Sequence, residues 1–237
     1  QKMPKEIIIA TSTFYGPDVK TGQWDPGVRM RAEIALKMIE TATQTGHHVV
    51  CVDEKSDEGW RKEARSKGAH MYDPEFDKYP GSHNMGKCRR QAMYLASQVE
   101  GKAVVAWLEP EKYPAIVDGH GDLVLARAAA PIKEGLVDFV IPRRADSMKS
   151  YPSSQRWLEL GGNTTAQLYL MEYAEKRGMP AEKTLEFAQY LDHFFGPKLF
   201  SIERGTVKHV MDYGVLAADD KSYNDQWGSV HYPVFMA

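Results

Sequence analysis

The 237-residue sequence has little cysteine, no long apolar run and almost no charge imbalance, and each shortage removes a class of protein. Its two cysteines, Cys51 and Cys88, are too few for a framework of disulfides and fall in segments of strand and helix pattern, so they read as free thiols of a reducing compartment. No run of about 18 apolar residues is present to cross a bilayer. No signal-peptide pattern opens the chain either, and with the cysteines this points to the cytoplasm. A formal net charge of -2 gives no bulk attraction for a polyanion, which argues against nucleic acid as a partner. Repeats, low-complexity tracts and long linkers are missing, so the chain is taken as one domain. The remaining composition, 43% hydrophobic and 26% charged, is that of an ordinary globular protein long enough to bury a sizeable core.

What the sequence does have is a stretch around which the rest is arranged. Val104 to Leu108 is an apolar run of strand length, and it ends in Glu109-Pro110-Glu111. In open α/β sheets, ligands bind outside the carboxyl ends of strands, and two acids placed there can hold a divalent cation against a diphosphate. The same residues also read as a proline turn with solvated glutamates.

Upstream, strand and helix patterns alternate. Glu6 to Thr11 is a β-branched run without helical period, followed by a loop from Ser12 to Pro26 where Thr11, Ser12 and Thr13 offer hydroxyls to a ligand. Val28, Ile34, Ala35, Met38, Ile39 and Ala42 fall at helical spacing, and Gly46 closes that helix. His48 to Val52 is the next strand and runs into Asp53, which either caps its turn or takes hydrogen bonds from a ribose or base. Ser56 or Asp57 caps a helix from Glu58 to Lys67, and Ala69 to Tyr72 is a short third strand. A polar loop then leads into Asn84-Met85-Gly86-Lys87-Cys88-Arg89-Arg90, a helix start rich in cations. Positive side chains at the positive end of a helix dipole are locally unfavourable, so either an anion binds there or the turn is a solvated basic face. The β-α-β-α-β order predicts an α/β protein with a mainly parallel sheet flanked by helices.

Taken in order, VVCVDEKSDE, GKCRRQAMYLA and VVAWLEPE resemble the nucleotide-sugar-binding half of the GT-A glycosyltransferases. That family reads as a strand ending in an Asp-rich segment, then a Gly-Lys helix start, then a strand ending Asp-X-Asp. The resemblance implies a GT-A-like, Rossmann-like fold with residues 1–112 as the nucleotide-sugar half and 113–237 as the acceptor half. It implies donor contacts from Thr11, Thr13, Asp53, Lys87 and Arg90, and a metal held by Glu109 and Glu111. Here the acids are glutamates with a proline between them, a departure that bears directly on the implied Mn²⁺ or Mg²⁺.

Beyond Lys112, a helix is broken or started near Pro131, and Val137 to Ile141 is a strand ending in Pro142-Arg143-Arg144. Arg143 there is a further candidate for donor phosphate. Trp157, Glu159, Gly161 and Gly162 resemble the acceptor region of enzymes similar to mannosylglycerate synthase, since aromatic faces and hydrogen-bonding side chains suit a sugar. Thr164 to Arg177 is amphipathic and Ala181 to Tyr190 a second helix. Asp192, beside His193, Phe194 and Phe195, suits a general base whose basicity is raised by apolar neighbours, or else a helix cap. The family's late metal-ligating histidine would be His231, which equally suits an ordinary surface position.

The function implied is transfer of a sugar from a UDP- or GDP-linked donor to a hydroxyl acceptor. A nucleotidyltransferase on a related sheet is the first alternative, although the long Gly-rich loop it needs after the first strand is missing. A non-catalytic sugar- or partner-binding domain with a degenerate metal motif is the second.

Overall fold

The computed structural model describes residues 7–99, 104–110, 121–137, 139–140, 153, 157, 168, 171–172, 175–176, 178, 193–195, 206–221 and 225. Its strands are β1 (Ile7–Thr13), β2 (His48–Asp53), β3 (His70–Tyr72), β4 (Val104–Trp107), β5 (Phe139–Val140) and β6 (His193–Phe195). They form one six-stranded sheet in the order β3-β2-β1-β4-β6-β5. β1, β2, β3 and β4 are parallel, whereas β6 runs antiparallel to both of its neighbours. This is the α/β, mainly parallel sheet that the alternation of patterns predicts.

Burial on both faces follows from the period of two along a strand. Ile7 and Ile9 of β1, with Val49, Val104 and Ala106, face helix α1 (Pro26–Gln44), helix α2 (Glu58–Ser66) and helix α4 (Gly121–Lys133). Ile8 and Ala10, with Val50, Val52, Val105 and Trp107, face helix α3 (Asn84–Ser97). The central stretches of β1, β2 and β4 are therefore apolar on both faces, which is why they show no alternation in the sequence.

Local chemistry fixes the helix starts. The Asp25 carboxylate accepts from the amides of Gly27 and Val28 at 2.9 and 3.0 Å, and Pro26 supplies the preset φ of the first helical residue. Pro26 thus opens α1 instead of closing the loop before it. At α2 the capping residue is Asp57, while Ser56 turns inward to the Asp53 carboxylate.

Two elements differ from the sequence reading. Leu191 to Lys198 contains the strand β6, inserted between β4 and β5. Three residues are too few to display a period, so only their aromatic character favoured a strand. The tail holds helix α5 (Thr206–Asp219), whose end coincides with the acidic turn at Asp219.

The chain forms two compact units, residues 1–140 with 191–237, and residues 141–190. In the second unit the described residues are helical up to Glu175 and Lys176, and Gly178 turns out of the helix with φ 65. Lys176 pairs there with Glu172 at 2.6 Å, one turn away.

Candidate functional site

In the first unit a cavity of about 170 Å³ opens at the carboxyl ends of β1 and β4. It lies where the strand order reverses, with β2 and β3 on one side of β1 and β4 on the other. Such a reversal splays the adjoining loops apart and leaves a crevice for ligands. Ser12, Thr13, Arg31, Glu54, Arg89 and Glu109 bring the polar and charged chemistry to its wall, and Met85 and Cys88 add apolar surface from the first turns of α3.

Arg89 is the most constrained of these cations. Its side chain is 3% exposed, its Nη2 donates to Glu109 Oε1 at 3.1 Å, and its guanidinium lies 5.9 Å from the centre of the Trp107 ring. Burial pulls its pKa below the ordinary arginine range, with Glu109 opposing that shift. Glu54 is fixed from the other side, accepting from Asn84 Nδ2 at 2.8 Å. Lys55 follows with φ 65, a left-handed conformation unusual for a residue with a side chain, and turns the chain sharply out of β2.

The sequence-derived candidates divide into several groups. Thr13 and Glu109 line the cavity. Thr11 is fully buried, and its hydroxyl has no hydrogen-bond partner among the described residues. Asp53 is also fully buried: it accepts from the Thr13 hydroxyl at 2.7 Å and from Ser56, and pairs with Arg61 at 3.1 Å. It ties β1, β2 and α2 together, and the neighbouring Glu54 is the carboxylate that reaches the cavity. Lys87 donates to the Phe76 carbonyl at 3.0 Å and is not among the residues lining the cavity. Arg90 requires a correction: its guanidinium is 0% exposed and gives two hydrogen bonds to Asp225, both 2.8 Å, so it is spent on an internal ion pair and does not face a diphosphate. Trp157, the candidate for an acceptor contact, is 74% exposed. Glu111, Arg143, Glu159, Gly161, Gly162, Asp192 and His231 lie outside the described residues.

Sequence reasoning passed over Arg31, Glu54 and Arg89 as site residues. Arg31 sits on the polar face of α1 with nothing in its neighbourhood to mark it. Arg89 did have a signal, because it shares a cation-rich helix start with Lys87 and Arg90, but spacing alone cannot say which of three cations turns toward a ligand.

A divalent metal would meet oxygen donors here. Glu109 and Glu54 line one cavity, and Mg²⁺ or Mn²⁺ bound beside a diphosphate needs one or two carboxylates, the phosphates supplying other ligands. The donor set therefore fits such an ion, although Arg89 already balances the charge of Glu109. Among the described residues no three His, Cys, Asp or Glu side chains converge on a point.

Both thiols are chemically quiet. Burial raises Cys51 and Cys88 to about 12, with the Asp53 carboxylate adding to both shifts. The native protein is thus expected to take up no N-ethylmaleimide at pH 7.5, and both cysteines to label in denaturant. Mass spectrometry of the two samples checks this, and rapid native labelling of Cys88 would mean that α3 opens readily at the cavity.

No family model matches the chain, and no curated protein matches it. Among solved structures it is similar to glucosyl-3-phosphoglycerate synthase of Mycobacterium tuberculosis, at 11% identity and a TM-score of 0.47, over 90% of this chain and 68% of that one. It is likewise similar to the same synthase in complex with Mn²⁺, UDP and phosphoglyceric acid, at 11% identity and a TM-score of 0.40, over 82% of this chain and 57% of that one. With Mn²⁺ and UDP-glucose bound to that synthase, the values are 10% identity and a TM-score of 0.42, over 91% and 67%. These are likenesses of fold, and the sheet assignment above rests on this chain's own strand order. No helix among the described residues is long and apolar enough to cross a membrane.

Proposed function

We propose that the chain transfers a sugar from a nucleotide-sugar donor to a hydroxyl acceptor, with the donor diphosphate in the cavity at the carboxyl ends of β1 and β4. The observation that carries this reading is the meeting of Arg31, Arg89 and the Glu109 carboxylate in one crevice at the reversal of strand order. The leaving group of such a transfer is a nucleoside diphosphate, on which negative charge grows as the glycosidic bond breaks. Fixed cations in a partly desolvated cleft stabilise that charge without reorganising at the moment of reaction.

Arg89 suits this role because Glu109 and the face of Trp107 hold its guanidinium in place before a ligand arrives. Glu109, with Glu111 two residues on, would hold a Mg²⁺ or Mn²⁺ ion, which would supply further positive charge to the diphosphate. Thr13 and Glu54 would face the nucleoside, from the wall built by β1 and the end of β2. For the acceptor, His193 is registered against Trp107, so the chain enters β6 at the carboxyl end of β4; this supports Asp192, the residue before it, as the base that takes the hydroxyl proton. Arg143, Trp157, Glu159, Gly161, Gly162 and His231 are assigned to donor, acceptor and metal by the family resemblance.

Isothermal titration with UDP- and GDP-sugars, with and without Mn²⁺, tests the reading. One of the two is expected to bind, and Arg89→Met to weaken it by about 1.5 to 3 kcal/mol, the range for a hydrogen bond to a charged group. Glu109→Gln is expected to abolish any gain from Mn²⁺ while leaving metal-free binding in place. Binding without turnover would favour a non-catalytic domain, and pyrophosphate release from a nucleoside triphosphate plus a sugar phosphate would favour a nucleotidyltransferase. No binding of either nucleotide would sink the reading.

A further inference from the structure

Asp225 comes from the tail, 135 positions beyond Arg90, and meets the start of α3. It accepts Arg90 Nη1 on Oδ1 and Nη2 on Oδ2, and its Oδ2 accepts the His83 amide at 2.9 Å. Three glycines make room for this arrangement, among them Gly214 of α5, where a Cβ would stand 2.7 Å from Arg90 Nε. A Cβ on Gly86 would stand 2.7 Å from the Asp225 carboxyl carbon, and one on Gly81 would overlap the Arg90 guanidinium. Gly81 also has φ 142, a conformation that side chains rarely allow.

The helix repeat gives this contact a consequence for the cavity. Met85 and Arg89 are one turn apart on α3 and line the cavity. Gly86 and Arg90, the adjacent stripe one residue on, meet Asp225. Buried ion pairs are poor sources of net stability, and their best-attested use is to fix one register among several.

We propose that Asp225 is a positioning residue: by fixing the first turns of α3 it sets Met85 and Arg89 for a ligand, so that docking of the tail and occupancy of the cavity reinforce one another. With the tail displaced, Arg90 would lose its carboxylate, and the first turns of α3 would lose the contact that fixes them. Linkage then requires that whatever binds against Arg89 also hold the tail in place. That second half rests on the donor-site reading, whereas the setting of α3 does not.

Hydrogen exchange read by mass spectrometry separates the two. In Asp225→Asn, amides of residues 85–89 are expected to exchange about tenfold faster than in the parent, with those of β1 and β2 unchanged, as local opening requires. The double variant Arg90→Met with Asp225→Leu leaves neither charge unpaired and guards against a single variant that does not fold. It lacks the carboxylate as well, and its residues 85–89 are expected to exchange faster too. UDP affinity, measured where the variants are folded, is expected to fall about tenfold with them. In the parent, saturating UDP is expected to slow exchange in the peptide containing Asp225. Parent-like exchange at residues 85–89 in a folded variant, or equal acceleration across the sheet, would overturn the proposal and leave the pair as a plain structural contact. A parent that binds no UDP would sink the donor-site reading alone, and exchange at residues 85–89 would still decide the role of Asp225.

Discussion

Arg90→Met is expected to lower the free energy of unfolding by about 3 to 5 kcal/mol, because it strands a buried carboxylate. Asp225 is 2% exposed, and its remaining hydrogen bond from the His83 amide cannot replace two from a guanidinium. In urea the midpoint should fall with the slope unchanged, which marks lost stability and not a looser native state. Lys176→Met is the control, since its partner Glu172 is exposed to water and pairs of that kind contribute little. Equal midpoints for the two variants would show that Asp225 finds another donor when Arg90 is gone.

Trp107→Ala is expected to cost about as much, roughly 3 to 5 kcal/mol, for a different reason. Trp107 is 0% exposed and is the largest side chain fully enclosed among the described residues. Its removal leaves a void between β4 and α3 that close-packed neighbours can fill only in part. It also takes away the ring over which Arg89 lies, so nucleotide affinity should fall even where the variant remains folded. Trp107→Phe separates these effects. The indole nitrogen has no hydrogen-bond partner among the described residues, so phenylalanine forfeits volume and no bond. Thermal unfolding of both variants checks the ordering, and an alanine variant as stable as phenylalanine would mean that the core closes over the gap.

Most of the first half of the fold was legible because β1, β2 and β4 are apolar runs and the first two helices have a period or a cap. His48 to Val52 and the Asp57 cap need no tertiary information to be recognised. β6 and β5 have three and two residues and are defined by the strand beside them, so local sequence carries little of their assignment. The place of the cavity was legible in part, its lining side chains less so. Glu109 follows from where β4 stops. The contrast between Arg89 and Arg90 depends on a residue 135 positions away, and no local pattern records it.

The place of β6 in the sheet also orders the assembly of the molecule in time. β5 precedes β6 in the chain, yet its only ladder among the described strands is to β6, which in turn pairs with β4. During synthesis β1 to β4 can therefore form their parallel ladder as soon as they emerge, while β5 waits for a strand that begins at residue 193. The intervening chain, most of it the second compact unit, becomes a closed loop only when β6 seats itself. Loop-closure entropy rises slowly with length, so the delay is one of sequence separation more than of free energy. Refolding followed by exchange labelling should then show β1 and β2 protected before β5.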